Sequence, residues 1–310
     1  MKLGILDLGT NTFNLIIVDA RLNSQFTILH EKKIAVKLGS RGINSGIIIK
    51  DAYSRALDAV KQHKQILNQF EVEKVAAYAT SAIRSAQNGE RLIRDIQEKY
   101  GISPQIISGD LEAELIYHGV KLALPFKPEK PILIMDIGGG SVEFVISDHA
   151  KILWRGSYKI GVARLLEKIK PSNPISYSQI NNIKDLLHTE LDLLFKAIDV
   201  YKPVILVGSS GSFDTFIDLL YPENRPGSGT AQASTEIGIE DFQLLYNTLV
   251  NSSLEERLAM QGMPDFRAEM IVLAIIEVQY IVERANIKRI IQSAYALKEG
   301  AIHLMIQDNG

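Results

Sequence analysis

This chain contains two copies of a pattern in which an apolar strand ends at an aspartate, turns through glycine and resumes as a second strand. In the first copy, the strand Leu3 to Leu8 leads through a turn to the apolar run Phe13 to Val18. In the second copy, the strand Ile132 to Ile137 leads through three glycines to the run Val142 to Ser147. Short β-favouring runs separated by turn residues predict a strand, a turn and a strand at both places.

Each copy is followed by a similar order of elements. A third strand is predicted over Phe26 to Ile34 and over Ile152 to Tyr158, and helical and extended patterns then alternate. Because a repeated order of elements indicates a repeated fold, we expect two α/β domains, residues 1–124 with 296–310 and residues 125–295. We expect them to face each other across a cleft, with ligands at the carboxyl ends of the strands.

Composition limits the chemistry available to the chain. Its 310 residues include no cysteine, which excludes disulfides, thiolate metal sites and a cysteine nucleophile. The formal net charge of −2 argues against nucleic-acid binding but is compatible with a small polyanion bound at a local cluster. Asp7 interrupts the N-terminal apolar stretch and Glu277 interrupts the longest later one, so we expect a cytoplasmic protein without a signal peptide or membrane span.

The turn in each copy suits a phosphate group. Glycine lets the backbone approach a ligand closely and present consecutive N–H groups to its oxygens. The adjacent Asp7 and Asp136 would repel phosphate unless a hydrated Mg²⁺ lay between carboxylate and phosphate. The alternative is an ordinary hairpin in which glycine only supplies a positive φ angle. A third turn, Gly208 to Ser212, lies between a strand and a helix and offers N–H groups and hydroxyls to another phosphate.

Five motifs occur in a characteristic order along nearly the whole chain. They are Asp7 to Phe13 (DLGTNTF), Thr80 to Arg84 (TSAIR), Ser108 to Ala113 (SGDLEA), Asp136 to Glu143 (DIGGGSVE) and Gly208 to Ser212 (GSSGS). In this order they resemble the Ppx/GppA phosphatase family, which comprises exopolyphosphatases and guanosine pentaphosphate phosphohydrolases of the actin-like ATPase superfamily. The resemblance implies two actin-like (ribonuclease H-like) domains, each a mixed sheet flanked by helices.

The resemblance also implies roles for several charged residues. Glu112 matches the family's catalytic glutamate and would act as general base toward a water, whereas the alternative is an acid that only complements a helix dipole. Arg84 would neutralise phosphate charge in the transition state, and the alternative is a solvated arginine. Glu143 would act in catalysis by binding Mg²⁺ or positioning water, unless it is a strand residue facing solvent. Asp7, Asp136 and Glu143 are the implied metal ligands, with Mn²⁺ as an alternative ion.

Phosphate binding is implied for the three turns and for one arginine that follows a Met-Pro pair. The shared chemistry is a set of backbone N–H groups, hydroxyls and a guanidinium that can donate hydrogen bonds to phosphate oxygens. These residues are Gly9, Thr10, Asn11, Gly138, Gly139, Gly140, Ser141, Ser209, Ser210, Gly211, Ser212 and Arg267.

Two residues depart from the family pattern. Glu114 stands two residues after Glu112 where the family commonly has arginine, and Lys298 stands where arginine is usual before Glu-Gly. One basic group becomes acidic and the other loses its two-pronged hydrogen-bonding geometry. The grip on a long polyanion is therefore expected to be weaker.

These observations predict a phosphohydrolase that removes the terminal phosphate from inorganic polyphosphate or guanosine pentaphosphate. Two alternatives stay open: a phosphotransferase of the sugar or acetate kinase type, and a non-catalytic regulator that binds guanosine polyphosphates or nucleotide. The expected partner is a small polyanionic substrate rather than nucleic acid or membrane, and a homodimer is a further expectation.

Overall fold

The structure, a computed structural model, describes residues 1–20, 26–148, 150–222 and 233–307. The chain divides into two compact units. Unit 1 consists of Met1–Gly119 and Leu297–Gly310, and unit 2 consists of Val120–Ala296.

Unit 1 is built on a five-stranded sheet in the order β3-β2-β1-β4-β5. β1 pairs antiparallel with β2 and parallel with β4, and β2 pairs antiparallel with β3. The strands are β1 (Lys2–Leu8), β2 (Thr12–Ala20), β3 (Phe26–Ala35), β4 (Lys74–Ala79) and β5 (Gln105–Ile106). The helices are α1 (Lys50–Gln69), α2 (Ser81–Ser85), α3 (Gly89–Tyr100), α4 (Gly109–Ala123) and, at the end of the chain, α12 (Leu297–Gln307).

Unit 2 is built on a six-stranded sheet in the order β10-β11-β9-β6-β7-β8. The strands are β6 (Ile132–Ile137), β7 (Val142–Ser147), β8 (Ile152–Tyr158), β9 (Ile205–Ser209), β10 (Ser234–Ile237) and β11 (Arg289–Ser293). The helices are α5 (Val162–Ile169), α6 (Tyr177–Glu190), α7 (Asp192–Tyr201), α8 (Ser210–Leu220), α9 (Ile239–Asn251), α10 (Leu254–Ala259) and α11 (Ile271–Arg284).

The two sheets repeat one topology. In each, the first three strands form an antiparallel meander, and the fourth pairs parallel with the first strand. The expectation of two α/β domains, each built on a mixed sheet flanked by helices, is confirmed. Unit 2 adds β10, an antiparallel edge strand beside β11, which the sequence reasoning did not anticipate.

Each unit has its own apolar core. Side chains such as Leu6, Leu15 and Val60 fill the first, and the second contains the rings of Phe144 and Phe213, all fully buried. Burial of this kind supplies most of the favourable free energy of folding, at about 25 cal/mol per Å² of apolar surface. Although α11 is buried and apolar on most sides, no helix in the described residues is both long and apolar enough to cross a membrane.

Candidate active site

The turn between β1 and β2 is held from one side by a neighbouring segment. The Gly9 N–H closes the turn by donating to the Thr12 carbonyl at 3.1 Å. The Leu38 N–H donates to the Thr10 carbonyl at 2.7 Å, and two further N–H groups, from residues 36 and 37, donate to the Asn11 carbonyl at 2.9 Å each. These bonds fix the Thr10 and Asn11 carbonyls against the 36–38 segment.

The turn between β6 and β7 is held in the same manner, but by a helix. Its own closing bond runs from the Gly138 N–H to the Ser141 carbonyl at 3.0 Å. The start of α5 donates to all three glycine carbonyls: Val162 N–H to residue 138 at 3.1 Å, Ala163 N–H to residue 139 at 2.9 Å, and Arg164 Nε to residue 140 at 2.7 Å.

The N–H groups of this second turn are arranged as an anion site would require. Gly139, Gly140 and Ser141 are buried, yet among the described residues their N–H groups have no recorded protein acceptor. Buried backbone donors are normally paired, because an unpaired one costs free energy comparable to a lost hydrogen bond. A phosphate oxygen is the acceptor that such a row of donors suits.

Two carboxylates and two hydroxyls lie in a row across four neighbouring strands of unit 2. Ser209 of β9, Asp136 of β6, Glu143 of β7 and Ser157 of β8 occupy aligned positions. Aligned residues on adjacent strands place their side chains on the same face of the sheet. Glu143 is only 2% exposed, so the alternative that it faces solvent is wrong.

Serine hydroxyls hold these carboxylates. Ser209 Oγ and Ser210 Oγ each donate to Asp136 Oδ2 at 2.6 Å, and Ser157 Oγ donates to Glu143 Oε1 at 2.7 Å. Burial raises the pKa of Asp136, although the two serine bonds oppose that rise. Ser209 and Ser210, two of the four serines expected to bind phosphate, thus direct their hydroxyl protons at a carboxylate.

The acid pair of unit 2 fits a magnesium ion. Mg²⁺ is usually bound through one or two carboxylates and keeps several of its own water ligands. Asp136 and Glu143 are two such oxygen donors on one face of the sheet. Within the described residues, no group of three or more His, Asp or Glu side chains forms a complete protein cage.

Asp7 of unit 1 has different surroundings. Its aligned neighbour on β2 is Asn14, whose Nδ2 donates to Asp7 Oδ2 at 2.9 Å. Lys298 Nζ contacts Glu31 Oε1 at 2.9 Å and Glu299 Oε1 at 3.6 Å. Burial opposes the charge of Lys298, but the carboxylates of Glu299, Glu31 and Asp7 together raise its pKa. Lys298, one of the two departures from the family pattern, is thus bound to acids of its own unit.

The third turn combines strain with tight packing. Ser210, the first residue of α8, has φ +67°, a left-handed conformation that is uncommon for a residue other than glycine. A Cβ atom on Gly208 would overlap the ring of Phe213, and one on Gly211 would overlap the guanidinium of Arg267. Close packing is therefore a sufficient reason for both glycines.

Arg267 lies against α8. It is partly buried, and its Nη1 donates to Thr215 Oγ1 at 2.8 Å. Burial lowers its pKa, while the carboxylates of Asp214 and Asp218 oppose that shift. The hydrogen bond directs this part of the guanidinium to the helix, whereas the expected phosphate contact stays a prediction.

Glu112 lies at the start of α4 and is paired with Arg84. The Leu111 N–H donates to Ser108 Oγ at 3.1 Å, so Ser108 caps the helix. Arg84 Nη1 donates to Glu112 Oε2 at 2.8 Å and also to the Ile107 carbonyl at 2.8 Å. Glu112 is 7% exposed and forms an ion pair with the Arg84 guanidinium. The alternative of a solvated Arg84 is wrong, because this arginine is fixed by two hydrogen bonds.

Known proteins similar to this chain have the same fold over its whole length. Exopolyphosphatase 1 of Mycobacterium leprae is 24% identical over 305 residues, which cover 97% of this chain and 88% of the relative. The crystal structure of an exopolyphosphatase from Cytophaga hutchinsonii shares 38% identity with a TM-score of 0.95, covering 99% of this chain and 98% of that one. The Ppx/GppA enzyme of Aquifex aeolicus shares 25% identity with a TM-score of 0.80, covering 98% and 99%.

The sequence model of the Ppx/GppA phosphatase family matches residues 16–308, a range that includes Arg84, Glu112, the β6–β7 turn and the acid pair of unit 2. Since the match extends over nearly the whole chain, this protein belongs to the Ppx/GppA phosphatase family.

Proposed function

We propose that this protein is an exopolyphosphatase, a phosphoanhydride hydrolase that releases the terminal phosphate of inorganic polyphosphate. The observation that carries the proposal is the buried Glu112, held at the start of α4 by Arg84 at 2.8 Å. A carboxylate that is buried and held in place by a guanidinium is positioned to accept a proton from an attacking water. Membership of a phosphatase family supports water rather than another acceptor as the nucleophile.

In the proposed mechanism, the turns of the two units bind phosphate oxygens. Thr10 and Asn11 belong to the unit 1 turn, and Gly139, Gly140 and Ser141 supply the N–H groups of the unit 2 turn. Glu112 takes the proton of the water as it attacks the terminal phosphorus, and the anhydride oxygen leaves with the shortened chain. Arg84 orients Glu112 and offers positive charge to the equatorial oxygens of the transition state.

The proposed metal ligands are Asp136 and Glu143 of unit 2, with Mg²⁺ as the first ion and Mn²⁺ as the second, whereas a metal role for Asp7 stays a prediction from the sequence. When bound, the divalent ion would neutralise phosphate charge and orient the chain for in-line attack. The serines of the row keep the two unit 2 carboxylates in place before the ion arrives.

We propose polyphosphate ahead of guanosine pentaphosphate as the substrate. The Mycobacterium leprae relative and the Cytophaga hutchinsonii structure described above are both named exopolyphosphatases. Guanosine pentaphosphate is the second candidate substrate of the same chemistry.

A substrate panel tests the proposal. Phosphate release is measured from short polyphosphate, long polyphosphate, guanosine pentaphosphate and ATP, each with Mg²⁺, with Mn²⁺ and with a chelator. The expected result is metal-dependent release from polyphosphate at least about tenfold faster than from ATP, equal to about 1.4 kcal/mol of discrimination.

Two outcomes would contradict it. Loss of ATP that requires an added sugar or carboxylate acceptor and produces no free phosphate would indicate a phosphotransferase. Binding of guanosine polyphosphates without turnover under any of these conditions would indicate a regulator.

A further inference from the structure

The start of α5 is the support of the phosphate turn in unit 2. Four donors from residues 162–164 bind the three glycine carbonyls of residues 138–140. In a tight turn, fixing each carbonyl also fixes the direction of the neighbouring N–H, because the peptide unit is planar. The direction of the N–H groups that would meet phosphate is therefore set by α5.

Gly161 makes this contact close. A Cβ atom at this position would lie 2.5 Å from the Ser141 nitrogen and 2.6 Å from the Gly139 carbonyl. Only glycine lets α5 begin directly against the turn.

Arg164 provides the side-chain part of the support. It is 8% exposed, and its Nε donates to the Gly140 carbonyl at 2.7 Å. A hydrogen bond from a charged donor is about twice as strong as one between neutral groups. Val162 and Ala163 contribute only backbone donors, which a side-chain substitution leaves in place. Arg164 also donates from its side chain, and a substitution can remove that hydrogen bond.

We propose that Arg164 is a positioning residue for phosphate binding: by holding the Gly140 carbonyl, its side chain directs the N–H group of Ser141, which lies in the same peptide plane, toward the substrate. This inference rests on the proposed function for the identity of the anion, which is a phosphate group of the substrate, whereas the support of the turn by Arg164 does not depend on it. Arg164 acts through the turn and is assigned no contact with the substrate.

The test compares Arg164→Gln with Arg164→Lys and with a matched control. Arg257 is the control, because it is also a buried arginine of unit 2, with Nε donating to the Ala268 carbonyl at 2.7 Å and Nη1 to the Ser252 carbonyl at 2.6 Å. Its bonds resemble those of Arg164, but its acceptors lie outside the turn. Arg257→Gln therefore reports what losing a buried arginine costs without disturbing the turn.

The first measurement is amide hydrogen exchange of the peptide that contains Gly139 to Ser141. Because, within the described residues, burial rather than a hydrogen bond of its own shields the Ser141 amide, we expect its exchange to accelerate about tenfold or more in Arg164→Gln, with an intermediate value in Arg164→Lys and no change in Arg257→Gln. Exchange at the turn that is equal in Arg164→Gln and Arg257→Gln would overturn the proposal.

The second measurement is phosphate release from polyphosphate. In Arg164→Gln we expect kcat/KM to fall about tenfold or more, and in Arg164→Ala added guanidinium should restore part of it. Unchanged kcat/KM in Arg164→Gln would also overturn the proposal. If the wild type releases no phosphate, the proposed function fails, while the exchange measurement still decides the role of Arg164.

Discussion

At the scale of single residues, the site depends on hydroxyl groups that fix buried acids. Ser157 is the clearest example, because it was not among the residues expected from the sequence and yet donates to Glu143 Oε1 at 2.7 Å. Ser157 lies fourteen residues after Glu143 in the sequence, so local sequence patterns do not predict the pairing. The alignment of β7 with β8 reveals it.

Replacing Ser157 with alanine should loosen Glu143 without removing it. Loss of one hydrogen bond to a buried charged group lowers the free energy of unfolding by about 1.5–3 kcal/mol. We expect the concentration of Mg²⁺ needed for half-maximal activity to rise severalfold, and Ser157→Thr, which keeps the hydroxyl, to restore it.

Ser147 is the matched control for this change. It is a buried serine of the neighbouring strand β7, and among the described residues its Oγ has no hydrogen-bond partner. Ser147→Ala should leave the Mg²⁺ dependence unchanged. An equal shift in Ser147→Ala and Ser157→Ala would show that the effect is general loosening of the sheet.

At the scale of elements, α1 is bound to the first sheet through a buried histidine. His63 is fully buried, and with Nε2 protonated it donates to the Phe13 carbonyl of β2 at 3.2 Å. Burial lowers its pKa to about 4, from an ordinary value of 6.5, and the bond to Phe13 opposes that shift only in part. His63 is therefore neutral at pH 7.

This histidine predicts a loss of stability in acid. His63 binds a proton more tightly in the unfolded chain than in the folded protein. The stability that neutral His63 contributes is therefore fully present above pH 6.5 and is lost as the pH falls toward 4. A pKa lowered from 6.5 to about 4 corresponds to about 3 kcal/mol of the free energy of unfolding. The free energy of unfolding, measured with urea at several pH values from 7.5 to 4.5, should fall less steeply with decreasing pH in His63→Gln than in the wild type. An equal dependence on pH in the two proteins would contradict the assignment.

Local patterns predicted much of the element order and less of what holds it together. The two strand–turn–strand copies were predictable because apolar runs and glycine turns are features of neighbouring residues. The support of the β6–β7 turn by Arg164 was not, because it joins segments 24 residues apart through backbone carbonyls. The edge strand β10 was also missed, since a strand of four residues beside β11 depends on its partner rather than on its own composition.

At the scale of the whole molecule, two repeats of one topology carry different chemistry. The first strand of each sheet ends near an aspartate, but its aligned neighbour is Asn14 in unit 1 and Glu143 in unit 2. The acid pair that suits a divalent ion therefore belongs to unit 2, whereas the buried Glu112–Arg84 pair belongs to unit 1. Family resemblance indicated each of these residues, while the structure supplied the hydrogen bonds that fix them.

The most direct test of the account is single-turnover phosphate release from polyphosphate by wild type, Glu112→Gln and Glu114→Gln in the presence of Mg²⁺. Glu114 is the matched control, as a glutamate of the same helix two residues later. Glu112→Gln keeps the shape of the side chain but cannot accept the proton of water, so release should fall about 10²–10⁴-fold, while Glu114→Gln stays within a few-fold of wild type. Release by Glu112→Gln within a few-fold of wild type would contradict the account.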